Sequence, residues 1–270
     1  EPSMVRAVPG WLHIVGIIFV ALTALILLAP LIVVIGVSVS ESQFIAFPPN
    51  GLSLRWYQEV LSSNAYLNAA WISIQIALLV TLMATAIGGA AAIAIHRRQL
   101  PFSDTLATVF LSPLVLPTII YAIGMLMFWS SVFGPVTPLT LALSHTAIAL
   151  PYVVRTTLAV LAESDPYLEE AARTMGANRL QRLWFVVVPQ CFPGLAAGAF
   201  FAFNISFDEA VLSLFLRGPT LTTLPVQIYS QLEFSPDPSV AAVSTIMIAL
   251  TIVLIFVIDR MLGLTRFASA

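Results

Sequence analysis

Residues 163–194 read ESDPYLEEAARTMGANRLQRLWFVVVPQCFPG and place a long, charged segment between two apolar stretches of the chain. Asp165 followed by Pro166 is typical of a helix start, because aspartate caps free N–H groups and proline fits the first helical position. Gly176 is typical of a helix end, because glycine readily adopts the left-handed backbone that follows a last turn. A second amphipathic helix is expected from about Asn178 to Val188. The segment is therefore predicted to be a short helix-turn-helix.

The charged side chains of this segment fit the first of these two helices. Glu169 and Glu170 fall in its first turns, where the helix dipole favours acids. Arg173 follows them by four and three residues and is expected to pair with them along one face. Pro189 and Pro193 mark the return to an apolar stretch.

The chain around this segment is strongly apolar. Of its 270 residues 59% are hydrophobic and 9% are charged, with a mean hydropathy of +0.99, whereas soluble domains carry about 25% charged residues. Such a chain cannot cover a water-facing surface, which excludes a soluble globular enzyme, and it is too apolar to be disordered.

Six stretches reach the roughly 20 apolar residues that a transmembrane helix needs. They span about 11–39, 66–95, 104–130, 139–161, 191–215 and 239–258. The first is expected to be a retained anchor, because it is longer than the apolar core of a signal peptide. The predicted fold class is all-α: a polytopic membrane protein of six transmembrane helices, with a single domain over residues 1–270.

The arginines indicate the orientation of these spans. Eight of the 11 basic residues fall on the side that holds both termini, namely Arg6, Arg97, Arg98, Arg173, Arg179, Arg182, Arg260 and Arg266. Arg55 and Arg217 fall on the other side, and Arg155 lies within the fourth span. Because short cytoplasmic loops carry an excess of basic residues, both termini and the loop at 162–190 are predicted to be cytoplasmic.

Residue types that are absent or rare exclude several kinds of chemistry for this chain. The chain has no lysine, which excludes a Walker A phosphate loop and a Schiff-base lysine. A single cysteine, Cys191, excludes an intrachain disulfide, and His13, His96 and His145 do not have the spacing of a metal site. No catalytic residue, metal or cofactor is therefore expected in this chain.

Two acids lie inside the fifth predicted span, about two-thirds of the way along it. A charge in a span costs about 2.5–3.5 kcal/mol on insertion scales unless it meets a cavity or a partner. One interpretation of Asp208 and Glu209 is a substrate pathway for a cation, to which Asn204 contributes from the same helix face as Asp208. The other is that the acids cap the span at the outer interface or contact a partner subunit.

The third predicted span contains two prolines. Pro113 and Pro117 each remove a helical hydrogen bond and are expected to bend it. Tyr121 and Trp129 follow the bend and are candidate pathway residues if the bend walls a cavity; a packing kink is the alternative. His145 of the fourth span is expected to be a buried, hydrogen-bonded histidine.

The segment 163–194 resembles the EAA loop of ABC importer permeases. Glu170-Ala171-Ala172 is followed after three residues by Gly176 and after nine more by Val186-x-Val188-Pro189. This is the spacing of the family pattern Glu-Ala-Ala, three residues, Gly, nine residues, Ile-x-Leu-Pro, with valine in place of Ile and Leu. The resemblance implies the transmembrane domain of a type I ABC importer, in which the loop docks on a separate ATPase subunit.

The resemblance also implies roles and partners. The coupling residues would be Glu169, Glu170, Ala171, Ala172, Gly176 and Pro189. The partners would be a second related permease subunit, two ATPase subunits that carry ATP and Mg²⁺, a periplasmic solute-binding protein and membrane lipid, with no nucleic acid. The location would be a bacterial inner membrane.

Further stretches are similar to the polyamine-type permeases. They are Gly51–Tyr57, Ser144–Thr146, Pro151–Arg155, Phe203–Glu209 and Thr223–Val226. The implied cargo is putrescine, spermidine or a related amine, with iron(III), an opine or an amino-acid-like compound as alternatives. A different class, an ion-coupled secondary transporter that uses Asp208 or Glu209 as its ion site, is the runner-up.

Overall fold

The computed structural model describes residues 10–97, 102–218 and 221–262, and these residues are almost entirely helical. The helices in this part of the chain are α1 (Gly10–Ser38), α2 (Arg55–Ser62), α3 (Asn64–His96), α4 (Ser103–Leu111), α5 (Thr118–Val132), α6 (Pro138–Ala162), α7 (Pro166–Thr174), α8 (Arg179–Arg182), α9 (Val188–Asp208), α10 (Val211–Phe215), α11 (Leu224–Phe234) and α12 (Ser239–Leu262). A 3₁₀ turn at Ser112–Leu114 follows α4, and a π-helical turn at Leu183–Val187 joins α8 to α9.

The predicted membrane class is confirmed. Within the described ranges five helices are long and apolar enough to cross a membrane, and the broken pair of α4 and α5 makes a sixth span if it is counted as one. The first, second, fourth and sixth predicted spans correspond to α1, α3, α6 and α12. Arg6, Arg98 and Arg266, which the orientation argument uses, lie outside the described residues.

The chain divides into two compact units. One comprises residues 1–62 and 231–248, and the other comprises residues 63–230 and 249–270. The single domain expected over residues 1–270 stays a prediction.

In the first unit, α1 keeps its large apolar side chains exposed from Ile14 to Val33. At its end the Ser38 hydroxyl lies 2.7 Å from the Tyr57 hydroxyl, and the indole N–H of Trp56 donates to the Ser40 carbonyl oxygen at 3.0 Å. These bonds hold α2 against the end of α1 and the chain that follows it.

The core of the second unit is formed by α3, α6 and α9. Small residues allow the backbones to approach closely, as is common between membrane helices. At Gly194 of α9, an added Cβ would lie 2.7 Å from the Thr156 carbonyl oxygen and 2.9 Å from the Thr157 Cα of α6. At Gly198 the corresponding distance to the Val153 Cα is 2.8 Å. The backbones of α6 and α9 are thus in close contact.

The third predicted span is not one helix. Its two parts meet at an angle of 102°, and the break lies at Ser112–Pro117. Pro113 and Pro117 lack the N–H groups that a helix requires there, and a residue before proline is disfavoured in the helical conformation. Pro117 instead stands before α5 with ψ at 125°, outside the helical range. The predicted bend is confirmed, and it separates the span into two helices.

The fifth predicted span is displaced towards the N-terminus. The second helix of the loop does not end near Val188, because α8, the π-turn and α9 run on as one span from Arg179 to Asp208. Pro189 lies in the first turn of α9, after the π-turn, and Pro193 is accommodated within that helix. The span then ends at Asp208 rather than near residue 215, and the short α10 follows as a separate element.

Candidate functional site

The loop helix α7 has the caps that its sequence predicts. The Asp165 carboxylate accepts a hydrogen bond from the Tyr167 N–H at 2.9 Å. At the other end Gly176 has φ at +87°, and the Ala177 N–H donates to the Ala172 carbonyl oxygen at 3.0 Å. This last bond is characteristic of a Schellman motif, in which a left-handed glycine reverses the chain.

The second loop helix α8 starts directly after that turn. Asn178 and Gln181 form a reciprocal capping box, with Gln181 N–H to Asn178 Oδ1 at 2.9 Å and Asn178 N–H to Gln181 Oε1 at 2.8 Å. The reversal from α7 to α8 therefore takes only Met175–Asn178 and is hydrogen-bonded at both ends. The predicted helix-turn-helix is confirmed.

The two adjacent glutamates of α7 lie in different environments. Glu169 Oε2 lies 2.6 Å from Arg97 Nη2 at the end of α3, and Glu169 Oε1 lies 4.0 Å from Arg182 Nε of α8. Glu170 is exposed. The expected pairing of Glu169 with Arg173 along α7 is wrong: within the described part of the chain its ion pairs are with Arg97, which follows α3, and with Arg182 of α8.

The turn itself is exposed and largely apolar. Met175 is 86% exposed, and Ala171 and Gly176 are also exposed. Ala172, Gly176, Ala177, Gln181 and Phe185 are among the residues that line a shallow depression of about 420 Å³ beside the turn. Pro189, the remaining predicted coupling residue, lies on α9 and is exposed.

The two acids at the end of α9 also differ. Glu209 is half-buried, and its Oε1 accepts a hydrogen bond from the Leu212 N–H at 2.9 Å, at the start of α10. Asp208 is the last residue of α9 and is exposed. The acids are thus at the end of the span, not within it, and Glu209 stabilises the next helix whereas Asp208 leaves its carboxylate accessible.

An aromatic and polar face leads along α9 to Asp208. Phe201, Asn204 and Asp208 recur at spacings that share one helix face. Asn204 donates its side-chain N–H to the Phe200 carbonyl oxygen at 3.0 Å, so its amide is partly satisfied within the helix. The Phe201 ring lies 6.2 Å from that of Tyr152 on α6.

Tyr121 and Trp129 of α5 are brought together at one residue of α6. The Trp129 indole N–H donates to the Ser144 hydroxyl at 2.7 Å, and the Tyr121 hydroxyl donates to the Ser144 carbonyl oxygen at 3.4 Å. Trp129 is 9% exposed and belongs to the core of the second unit. This is a packing environment, and a pathway role for the two residues stays a prediction.

His145 connects three helices inside the same unit. It is fully buried, with Nδ1 at 3.0 Å from the Ser206 hydroxyl of α9 and Nε2 at 3.2 Å from the Ser213 hydroxyl of α10. The expected buried, hydrogen-bonded histidine is confirmed. The sequence analysis did not predict its partners, because a serine within an apolar span gives no indication of which residue it contacts.

The chain matches the family described as the binding-protein-dependent transport system inner membrane component over residues 84–265. That range covers α7, the Schellman turn and the acidic end of α9. The chain belongs to this family. It is a permease subunit of an ABC importer, as the EAA resemblance implied, and the secondary transporter weighed against it is excluded.

Individual relatives agree with the family. The permease is 32% identical to the spermidine/putrescine transport system permease protein PotC of Escherichia coli (strain K12), over 84% of this chain and 85% of that one. It is 28% identical to the putrescine transport system permease protein PotI of the same strain, over 82% and 81%.

A solved structure supports the fold. A chain of the bacterial alginate ABC transporter, crystallised with an alginate pentasaccharide-bound periplasmic protein, superposes with a TM-score of 0.71 at 15% identity. The match covers 93% of each chain. The permease therefore has the fold of an ABC importer transmembrane domain and comes from a family of inner-membrane components.

Proposed function

We propose that this permease moves a small cationic amine, such as putrescine or spermidine, across a bacterial inner membrane by alternating access. ATP binding to partner ATPase subunits would push the loop formed by α7 and α8 and open the pathway outward, and hydrolysis would reset it. The observation that carries the proposal is the Schellman turn at Gly176, which presents Glu170 and Ala171 on an open surface of a preformed loop.

The surface beside the turn suits a protein partner. Met175 and Phe185 are 86% and 78% exposed, and the depression between them is lined by the small residues Ala172 and Gly176. Small residues let a partner approach the backbone closely, and exposed apolar side chains gain free energy when a partner covers them. Glu170 adds an exposed carboxylate that suits a basic group of the partner.

The remaining components follow from this assignment. Two ATPase subunits would hold ATP and Mg²⁺, so that this chain itself carries no cofactor. A second, related permease would complete the pathway, and a periplasmic solute-binding protein would deliver the cargo. The loop and both termini would then face the cytoplasm, which agrees with the excess of arginines on that side.

The cargo is proposed from the end of α9. Asp208 offers an accessible carboxylate, and Tyr152 and Phe201 place aromatic rings on and beside the same helix face. Carboxylates and aromatic faces together bind ammonium groups through ionic and cation–π contacts. The relatives named for spermidine and putrescine transport support the same chemical class.

The docking role of the loop is tested by Gly176→Trp. The bulky side chain would force the positive-φ backbone at Gly176 to change and would fill the depression. We expect the co-expressed ATPase to be lost from the purified permease, while the amount of permease in the membrane stays close to that of the unmodified chain.

Gly134→Trp is the matched control. Gly134 also has positive φ, at +82°, and an added Cβ meets nothing within 4 Å at either glycine. Both variants therefore strain a turn equally, but only one alters the loop. Normal recovery of the ATPase with Gly176→Trp would refute the docking role.

A further inference from the structure

A charge cluster joins the loop to the end of α3. Arg97 directly follows α3, and its guanidinium lies 2.6 Å from the Glu169 carboxylate of α7. Arg182 of α8 approaches the other oxygen of that carboxylate at 4.0 Å. The side chains of Arg97, Glu169 and Arg182 are 18%, 31% and 17% exposed, so the cluster is largely shielded from water.

The composition of the cluster makes Glu169 its centre. A single carboxylate stands between two arginines, and without it the two positive charges would face each other in a partly buried site. Other acids of the same loop, such as Glu163 and Glu170, are exposed. The carboxylate of Glu169 thus lies between a positive charge at the end of α3 and one on α8.

Helix α3 leads from this cluster through the core of the second unit. It has 33 residues without a proline, and Gly88 brings it against Val153 of α6, where an added Cβ would lie 2.9 Å from the Val153 Cβ. In the N-terminal part of α3 the buried Ser73 hydroxyl accepts a hydrogen bond from the Leu224 N–H at 2.7 Å, at the start of α11. Ser73 and Arg97 are about 36 Å apart along the helix at 1.5 Å per residue.

We propose that Glu169 is a positioning residue that transmits movement of the loop to α3. Through Arg97 a displacement of α7 would move α3 as a rigid rod, and through Ser73 it would move the chain that begins α11. This is a route separate from the covalent one, in which α8 continues into α9. The proposal rests on the proposed function, because it requires that an ATPase move the loop.

The test follows a chemical probe close to the contact between Ser73 and Leu224. Cys191, the single cysteine, is replaced by alanine, and Thr222→Cys places a thiol two residues before Leu224. The rate of maleimide modification is measured on the purified complex with its ATPase, without nucleotide and after trapping with ATP and vanadate. In the otherwise unmodified chain we expect trapping to change the rate by about fivefold or more, the lower end of typical coupling between sites.

The variants then separate the charge route from docking. Arg97→Gln changes no predicted coupling residue and is expected to retain the ATPase but to lose the nucleotide-dependent change at position 222. Glu169→Gln is expected to lose the same change. The double variant should lose no more than either single one, because the residues act through each other. Arg97→Lys keeps a positive charge and should restore most of the change, which a purely structural role of the guanidinium would not predict. Glu163→Gln, which removes an exposed acid from the same loop, should leave the change intact.

The outcomes that overturn the proposal are distinct from failure of the docking role. An unaltered nucleotide response in Glu169→Gln and Arg97→Gln, or additive losses in the double variant, would exclude the charge route while leaving ATPase docking in place. Absence of a nucleotide response in the unmodified chain would exclude it as well. If Glu169→Gln does not accumulate, comparison of Arg97→Gln with Arg97→Lys decides the question alone. Failure of the unmodified permease to retain any ATPase would instead refute the proposed function.

Discussion

At the scale of single residues, two adjacent acidic side chains of this permease have different environments and different roles. The Glu209 carboxylate accepts a hydrogen bond from the Leu212 N–H at the start of α10, whereas Asp208 is exposed at the end of α9. The sequence placed both acids in one candidate pathway. It could not separate them, because the difference depends on where α9 ends, and no Gly or Pro near Asp208 marks that end in the sequence.

Asp208→Asn is therefore expected to impair transport more than Glu209→Gln. The asparagine loses the charge that would attract an amine, and uptake of radiolabelled putrescine should fall about tenfold, the equivalent of roughly 1.4 kcal/mol. Glutamine at 209 retains an oxygen that accepts from the Leu212 N–H, so uptake should stay near that of the unmodified chain. Uptake is measured in cells that lack their own putrescine importers.

Glu209→Ala serves as the control for capping. It removes the acceptor and should lower the stability of the permease in detergent by about 1 kcal/mol, as loss of a helix cap does. Equal uptake by Asp208→Asn and the unmodified chain would remove Asp208 from the pathway.

At the scale of helices, α9 packs on α6 so closely that the backbone of α6 leaves no room for a side chain at Gly194. The atoms nearest to an added Cβ at Gly194 belong to the backbone of Thr156 and Thr157. Gly194→Ala should therefore force the helices apart and destabilise the fold by about 1–3 kcal/mol, the usual cost of overpacking. Thermal unfolding of the purified permease in detergent measures this loss.

Gly124→Ala provides the helical control. Gly124 lies within α5, and an added Cβ there meets nothing within 4 Å. Because alanine favours a helix over glycine by about 1 kcal/mol, this variant should be neutral or slightly more stable. A similar melting temperature for both variants would contradict the close approach of α6 and α9.

The local elements were predictable and the connections between them were not. The caps at Asp165 and Gly176 are formed by neighbouring residues, so their sequence signals sufficed to define α7. The ion pair of Glu169 with Arg97 joins residues distant in the sequence, and the short-range rule for helical pairs selected Arg173 instead. The continuity of α8 with α9 was also missed, because the π-turn at Leu183–Val187 widens the helix before Pro189 and has no reliable sequence pattern.

At the scale of the whole molecule, the arginines predict which end of each span faces the cytoplasm. A fluorescent protein fused after Ala270 should fluoresce, because such proteins mature in the cytoplasm and not after export through the general secretory route. An alkaline phosphatase fusion at Gly134, in the turn between α5 and α6, should be active, because this enzyme needs the oxidising periplasm. Activity of a phosphatase fused after Ala270 would invert the proposed topology and separate the loop from any cytoplasmic ATPase.

The hydrogen-bonded reversal at Met175–Asn178 has a consequence for the entropy of assembly. Ordering one residue of a flexible loop costs about 1–2 kcal/mol in lost backbone freedom. The Schellman bonds and the Asn178–Gln181 capping box order these four residues within the permease itself. A partner that docks on α7 would then meet a surface that already has its bound conformation, and none of the binding free energy would be lost to ordering the turn. Repeated assembly with the ATPase would likewise not require the turn to form anew.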